Sequence, residues 1–241
     1  MESGNLDIPL QKMAVMTKSF LAIIPARGGS KGLKRKNVLP LADKPLISWT
    51  IEASLNSKYI TDTYVSSEDS EILDIAKQYK AKIVKRPYFL ALDDSSSESV
   101  VFHTISSIKS NHDYIVLLQP TSPLRDNYDI DSAIETLLEK NADALISVYE
   151  VDNKLLKSFV EDENSFLKGV SNNKYPFMPR QKLPKTYMSN GAIYIIKREL
   201  FIKNNSFFAN KTIKFLMNKT KSIDIDTLED FKIVESLLCK S

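Results

Sequence analysis

Apolar residues in this chain gather in short bursts, and the stretches between them carry helical spacing. Phe20–Ile24 is an unbroken apolar run and predicts a buried strand. Residues 45–55 place apolar side chains three and four apart, with Pro45 suited to the first turn of a helix. The alternation continues with a strand over 60–66, a helix over 70–79 and a short strand over 82–85. A helix over 97–109, a strongly apolar strand over 114–118, a helix over 129–139 and a strand over 142–148 follow. After a gap, 191–196 reads as another strand, and the chain closes on a helix over 227–238.

Strands that lack clean in-out alternation and exchange with helices predict an α/β fold, with a mainly parallel central sheet covered by helices on both faces. Such sheets bind ligands beyond the carboxyl ends of their strands, where the loop 25–37 and the turns 66–68 and 119–122 would all emerge. The pattern breaks over 151–187, where Asp, Asn, Lys and Pro dominate. A long irregular insertion in a compact domain is usually a functional or association element. The expected organisation is a mobile tail over 1–19 and one domain over 20–241, with 151–187 as a small dimerisation insertion.

With 241 residues, 43% of them hydrophobic and 26% charged, the chain can bury a sizeable core and is neither disordered nor fibrous. A net charge of +3 gives no general argument for nucleic acid. The single cysteine, Cys239, excludes an internal disulfide and fits a reducing cytoplasm. No apolar run approaches membrane-spanning length, and the first 19 residues lack the apolar region of a secretory signal.

Local charge says more than the total. Gly28, Gly29 and Gly32 are half of the six glycines, and they sit directly after the first predicted strand among Arg27, Lys31, Lys34, Arg35 and Lys36. Glycine leaves backbone N–H groups unscreened, and the cations surround them, so the loop is built to hold phosphates. Walker A spelling is excluded because Lys31 lies between Ser30 and Gly32, and the dinucleotide G-x-G-x-x-G is absent.

Asp224 and Asp226 flank Ile225, so in an extended chain their carboxylates point to one side and can share a divalent cation. Either Asp226 or Thr227 can equally cap the last helix, and both roles can coexist. Gln119, at the end of the most apolar strand, either orients a substrate or belongs to a polar turn locked by Pro120 and Pro123; Asn190 is open in the same way. Arg86 can recognise a base edge or a phosphate, and Ser97 can be a helix cap that itself also reaches a ligand. His103 and His112 have no partner at metal or triad spacing.

Read jointly, Ala26-Arg27-x-x-Ser30-Lys31-Gly32-Leu33-x-x-Lys36-Asn37, Leu118-Gln119-Pro120-Thr121-Ser122-Pro123-Leu124-Arg125, Pro179-Arg180-Gln181-x-Leu183-Pro184, Asn190-Gly191-Ala192-Ile193-Tyr194 and Ser222-Ile223-Asp224-Ile225-Asp226-Thr227 resemble the N-acylneuraminate cytidylyltransferases, a family that includes CMP-legionaminic acid synthetases. The likeness runs from about Phe20 to the last helix. It implies a Rossmann-like nucleotidyltransferase fold and transfer of CMP from CTP to the anomeric 2-hydroxyl of a nine-carbon 2-keto acid sugar, with release of pyrophosphate.

By that resemblance Arg27, Gly28, Gly29, Ser30 and Lys31 would grip the triphosphate with Lys36 beside them, and Asn37, Arg86 and Ser97 would hold cytosine and ribose. Gln119 and Tyr194 would line the sugar pocket, Phe207 and Phe208 would contact the acyl substituent, and Lys157 and Arg180 would arrive from a second subunit of a homodimer. Asp224 and Asp226 would hold Mg²⁺ or Mn²⁺, with Lys31, Lys36 and Asp226 closest to the chemistry. The spelling Lys31-Gly32-Leu33 suits the sialic or legionaminic branch better than the pseudaminic one. A rival from another class is a non-catalytic protein that binds RNA or other anions through the basic loop, but residues 31–40 are the one dense basic cluster and hold no aromatic side chain for stacking.

Overall fold

The computed structural model describes residues 18–30 and 32–239. The expected tail therefore falls almost wholly outside the described residues. Its last residue, Ser19, is tied down: its N–H and hydroxyl both donate to Asp113 Oδ2 at 2.9 Å.

Seven strands form the main sheet: β1 (Phe20–Pro25), β4 (Ile60–Ser67), β5 (Lys82–Lys85), β6 (Tyr114–Leu117), β7 (Ala144–Val151), β10 (Thr186–Lys197) and β11 (Thr212–Leu216), in the order β11-β7-β10-β6-β1-β4-β5. β1 pairs in parallel with β4 and β6, β4 with β5, and β11 with β7, whereas β10 runs antiparallel to both β6 and β7. Two small ladders, β2 (Pro40–Leu41) with β3 (Lys44–Pro45) and β8 (Phe159–Glu161) with β9 (Leu167–Gly169), stand apart. The helices are α1 (Leu46–Leu55), α2 (Ser70–Gln78), α3 (Ser97–Ser107), α4 (Asn127–Glu139), α5 (Arg198–Asn204) and α6 (Leu228–Leu238).

The two-residue period of β1 sorts its side chains between the two faces. Phe20, Ala22 and Ile24 share a core with Ile47 and Ile51 of α1, Ile72 of α2 and Ile130 and Ile134 of α4. Leu21 and Ile23 share the other core with Val101 and Ile105 of α3 and Phe201 of α5. Both faces of the strand are dry, so it reads as a continuous apolar run rather than an alternating one. Each fully buried Ile or Leu contributes about 1.5–3 kcal/mol.

Several expectations need correction. The strand expected over 142–148 begins at Ala144 and runs on to Val151, and the one expected over 191–196 begins at Thr186. The insertion over 151–187 is not wholly irregular: it holds the β8–β9 hairpin and three short 3₁₀ turns. Residues 198–204 and 212–216 form elements that the apolar pattern did not announce. Asp224 and Asp226 lie outside every strand, in the segment between the 3₁₀ turn Thr220–Ser222 and α6.

Because β1, β4, β5 and β6 run in parallel, the chain leaves all four at one edge. β10 returns against them, and the 217–226 segment is fixed at the same edge by Ile225 N–H donating to Thr121 O at 2.9 Å.

Candidate active site

A cleft of about 250 Å³ opens at that edge. The first loop supplies Arg27, Ser30, Lys36 and Asn37, the stretch after β5 supplies Arg86, Asp93 and Ser97, and the turn after β6 supplies Gln119 and Thr121. Seven of the residues singled out in the sequence are thus brought together from segments as much as 92 positions apart, Arg27 to Gln119. Lys31 lies outside the described residues.

The loop is held by carboxylates. Gly28 N–H donates to Glu68 Oε1 at 2.7 Å, and Glu68 Oε2 accepts from Arg86 Nε and Nη2 at 3.1 and 3.0 Å. Arg86 is therefore a buried strut behind the loop, with its guanidinium drawn below its ordinary value by burial while Glu68 pulls the other way. A Cβ on Gly28 would collide with Asp69 Oδ2, which Arg35 grips together with Glu71; that hydrogen bond to Arg35 holds the Asp69 carboxyl below the usual range. Gly32 packs so closely on the Asp226 carbonyl that a Cβ would overlap it, whereas Gly29 faces open space. Ser97 is the first residue of α3, but the cap is its neighbour: Ser96 Oγ accepts from Ser99 N–H at 3.1 Å.

Lys36 joins the loop to the 223–226 segment, donating to Ile225 O at 2.5 Å and to Asp226 Oδ1 at 3.1 Å. The two candidate metal ligands stand in different surroundings. Asp226 is exposed, while Asp224 is half-buried and its Oδ1 is a buried acceptor with no hydrogen-bond partner. Burial pushes the Asp224 carboxyl up, the Thr121 hydroxyl opposes it, and the charge of Asp226 raises it further. A desolvated, unpartnered carboxylate oxygen is suited to a hard cation. Capping of α6 falls to Thr227, whose Oγ1 accepts from Asp230 N–H at 3.2 Å, so Asp226 is released from that role. Among the described residues no three His, Cys, Asp or Glu side chains group as a metal site, so any ion held here would take the rest of its ligands from a bound molecule and water. Mg²⁺ on phosphates is commonly bound in this way.

Gln119 leans on a glycine. Gly191 adopts φ +74° at the register break of β10, and a Cβ there would stand 2.9 Å from Gln119 Oε1. Gly191→Ala is expected to cost about 1–2 kcal/mol of left-handed strain, read as a lower denaturant midpoint, and to displace the Gln119 amide. Asn190 proves structural: buried, it accepts from Ser147 Oγ at 2.6 Å and donates to Ser222 Oγ at 2.9 Å, which ties β7, β10 and the segment leading to Asp224 into one frame. Tyr194 packs on Phe207 with ring centroids 5.8 Å apart. Phe207 is in the core, so of the aromatic pair only Phe208 is exposed.

Lys157 and Arg180 are not brought to the cleft by their own chain. Lys157 Nζ donates to Pro176 O at 3.4 Å and Arg180 Nη2 to Asp152 Oδ2 at 3.2 Å, both within the insertion. The histidines are elsewhere too. His112 does find partners the spacing did not reveal, Asp62 Oδ2 at 3.2 Å and Ser110 Oγ at 2.9 Å, but it precedes β6 at the far edge of the sheet.

Sequence reasoning missed Glu68, Asp93 and Arg125 as site-building residues. Arg125 is fully buried, its guanidinium lowered to about 10 by burial, and Nη2 donates to Thr50 Oγ1 at 2.7 Å beneath the Gln119 turn. Its place in the quoted motif was the available signal. Glu68 had only its position just after a predicted strand, and Asp93 only its position shortly before a predicted helix.

Comparison with known proteins places this geometry. Residues 21–239 match the family model described as cytidylyltransferase. The N-acylneuraminate cytidylyltransferase of Escherichia coli O18:K1:H7 is 33% identical over 90% of this chain, which spans about half (52%) of that enzyme's length. The CMP-N,N'-diacetyllegionaminic acid synthase of Legionella pneumophila is 33% identical over 91% of this chain and 96% of its own. Among solved structures, a CMP:2-keto-3-deoxy-manno-octonic acid synthetase complexed with CTP superposes with a TM-score of 0.70 over 93% of this chain and 99% of that one, at 15% identity, a likeness of fold. A glycine-rich loop after the first strand of a mainly parallel sheet, matched along nearly its whole length, makes this chain a member of the cytidylyltransferase family.

Proposed function

We propose that this protein transfers CMP from CTP to the anomeric 2-hydroxyl of a nine-carbon 2-keto acid sugar of the sialic or legionaminic kind, releasing pyrophosphate. The observation that carries the reading is the meeting of the Arg27–Asn37 loop, Gln119 and the unpartnered Asp224 oxygen at one sheet edge. The sugar hydroxyl oxygen would form the new bond to the α-phosphorus as the bond from that phosphorus to the β-phosphate oxygen breaks. Arg27, Ser30, Lys31 and Lys36 would take the phosphate charge, and Asn37, whose Nδ2 is already committed to Arg27 O at 2.9 Å, offers a buried Oδ1 acceptor to the nucleoside. Asp224 and Asp226 would hold Mg²⁺ or Mn²⁺. The ion, when bound, neutralises phosphate charge and lowers the pKa of the attacking hydroxyl.

Gln119 and Tyr194 would orient the acid sugar, with Phe208 toward its acyl group. The insertion is suited to pairing two copies, because Phe166, Leu167 and Phe177 stand 68%, 64% and 82% exposed on it. In a homodimer Lys157 and Arg180 would reach the partner's sugar pocket. The reading as a non-catalytic RNA- or anion-binding protein is disfavoured by the cleft itself, whose lining among the described residues holds no aromatic side chain on which bases could stack.

Pyrophosphate release measured across CTP, UTP and GTP with sialic, legionaminic and pseudaminic acids and the eight-carbon sugar Kdo tests the proposal. Turnover is expected with CTP and a nine-carbon acid. Turnover confined to UTP or to Kdo would overturn it.

A further inference from the structure

Among the described residues three ion pairs reach the cleft, and they differ in exposure. The side chains of Arg86 and Lys36 are only 3% and 11% exposed. The third pair, Arg27 Nη1 to Asp93 Oδ1 at 2.7 Å, joins the first loop to the stretch between the 3₁₀ turn Tyr88–Ala91 and α3, across 66 positions of sequence. Solvent reaches both its members, 34% and 49% exposed. A pair this open is cheap to separate, whereas an arginine facing several phosphate oxygens makes stronger, charge-assisted bonds.

We propose that Asp93 tunes the phosphate affinity of the nucleotide cleft: it occupies Arg27 in place of a phosphate and is exchanged for the triphosphate when nucleotide binds. The inference rests on the nucleotide reading given above. Arg27 cannot turn the same N–H toward Asp93 and toward a phosphate, so a ligand that takes this Nη1 donor, rather than one of the other guanidinium N–H groups, must displace the carboxylate. Polyanions do so readily, and a nucleoside without phosphate gains nothing from the exchange. Asp93 thereby lowers the affinity for triphosphate and for the pyrophosphate product alike, which keeps the product from lingering.

The test is calorimetric titration of the full chain, in Mg²⁺, with CTP and with pyrophosphate, and displacement of CTP by cytidine. Asp93→Asn is expected to tighten CTP and pyrophosphate about five-fold, the fold-change matching an exposed ion pair worth about 1 kcal/mol, and to leave cytidine unchanged. Asp93→Ser, which cannot replace the ion pair, should behave the same way. In the Arg27→Ala background the gain should shrink. Unchanged or weaker CTP binding by both Asp93 variants, an equal shift for cytidine, or an undiminished gain without Arg27 would each overturn the exchange while leaving the nucleotide reading in place. Failure of the unaltered protein to bind CTP would overturn both.

Discussion

Substitution of alanine for Asp224 is expected to lower CTP-dependent pyrophosphate release by about 100-fold or more, equivalent to about 2.7 kcal/mol of lost transition-state stabilisation. Asp224 stands beside the cleft, where Ile225 is tied to Thr121, and of the two candidate metal ligands it has the clearer unmet demand. Its Oδ1 is buried with no hydrogen-bond partner, and burial and the Asp226 charge both raise its pKa. The folded state therefore tolerates this carboxylate at a cost, and its ionised form gains most from a cation. Alanine should leave the thermal midpoint close to that of the unaltered protein, because removal of a desolvated charge offsets the loss of the hydrogen bond with the Thr121 hydroxyl. Asp226→Ala should differ. Asp226 is exposed and its Oδ1 accepts from Lys36, so its loss frees that lysine as well as a metal ligand. A turnover assay over a Mg²⁺ titration, with chelator as the zero point, separates the two. Near-normal release by the Asp224 variant at ordinary Mg²⁺ would remove Asp224 from the chemistry.

The parts of this molecule that could be read from its sequence are those where one physical demand dominates. β1 and β6 are buried on both faces, so their apolar runs leave little choice of element. The glycine loop was legible because glycine and cation together serve few purposes other than holding anions. The rest depended on contacts across the sequence. Glu68 meets Gly28 across 40 positions and Asp93 meets Arg27 across 66, and neither Glu68-Asp69 nor Asp93-Asp94 carries any mark in the sequence of which carboxylate has a distant partner. Ser96 and Ser97 are equally good caps by composition, and the distinction comes from where the backbone turns. β11 escaped notice because it edges the sheet with Thr212, Lys214 and Leu216 at least partly exposed, which dilutes its apolar signal. Asp224 and Asp226 were paired by an argument from strand alternation, but the segment is outside the sheet. Lys36 and the bond from Ile225 to Thr121 hold them beside the cleft instead.

The second large effect falls on stability. Arg86→Ala is expected to cost about 3 kcal/mol, at the lower end of what breaking a buried ion pair costs. The side chains of Arg86 and Glu68 are 3% and 12% exposed, so truncating the arginine strands a carboxylate in a nearly dry site. The lower end applies because Gly28 N–H still satisfies Glu68 Oε1. Adding Glu68→Gln should restore part of the loss, because a neutral amide needs no cation and its oxygen can still accept from Gly28. Denaturant unfolding of the two single variants and the double variant measures the coupling. A cost below about 1 kcal/mol for Arg86→Ala would show that water reaches Glu68 and that the pair behaves as a surface one. Nucleotide affinity separates the strut from the ligand. If Arg86 only braces the loop through Glu68, the double variant recovers CTP binding along with stability; if it also contacts the nucleotide, stability returns and the weakened binding of CTP remains.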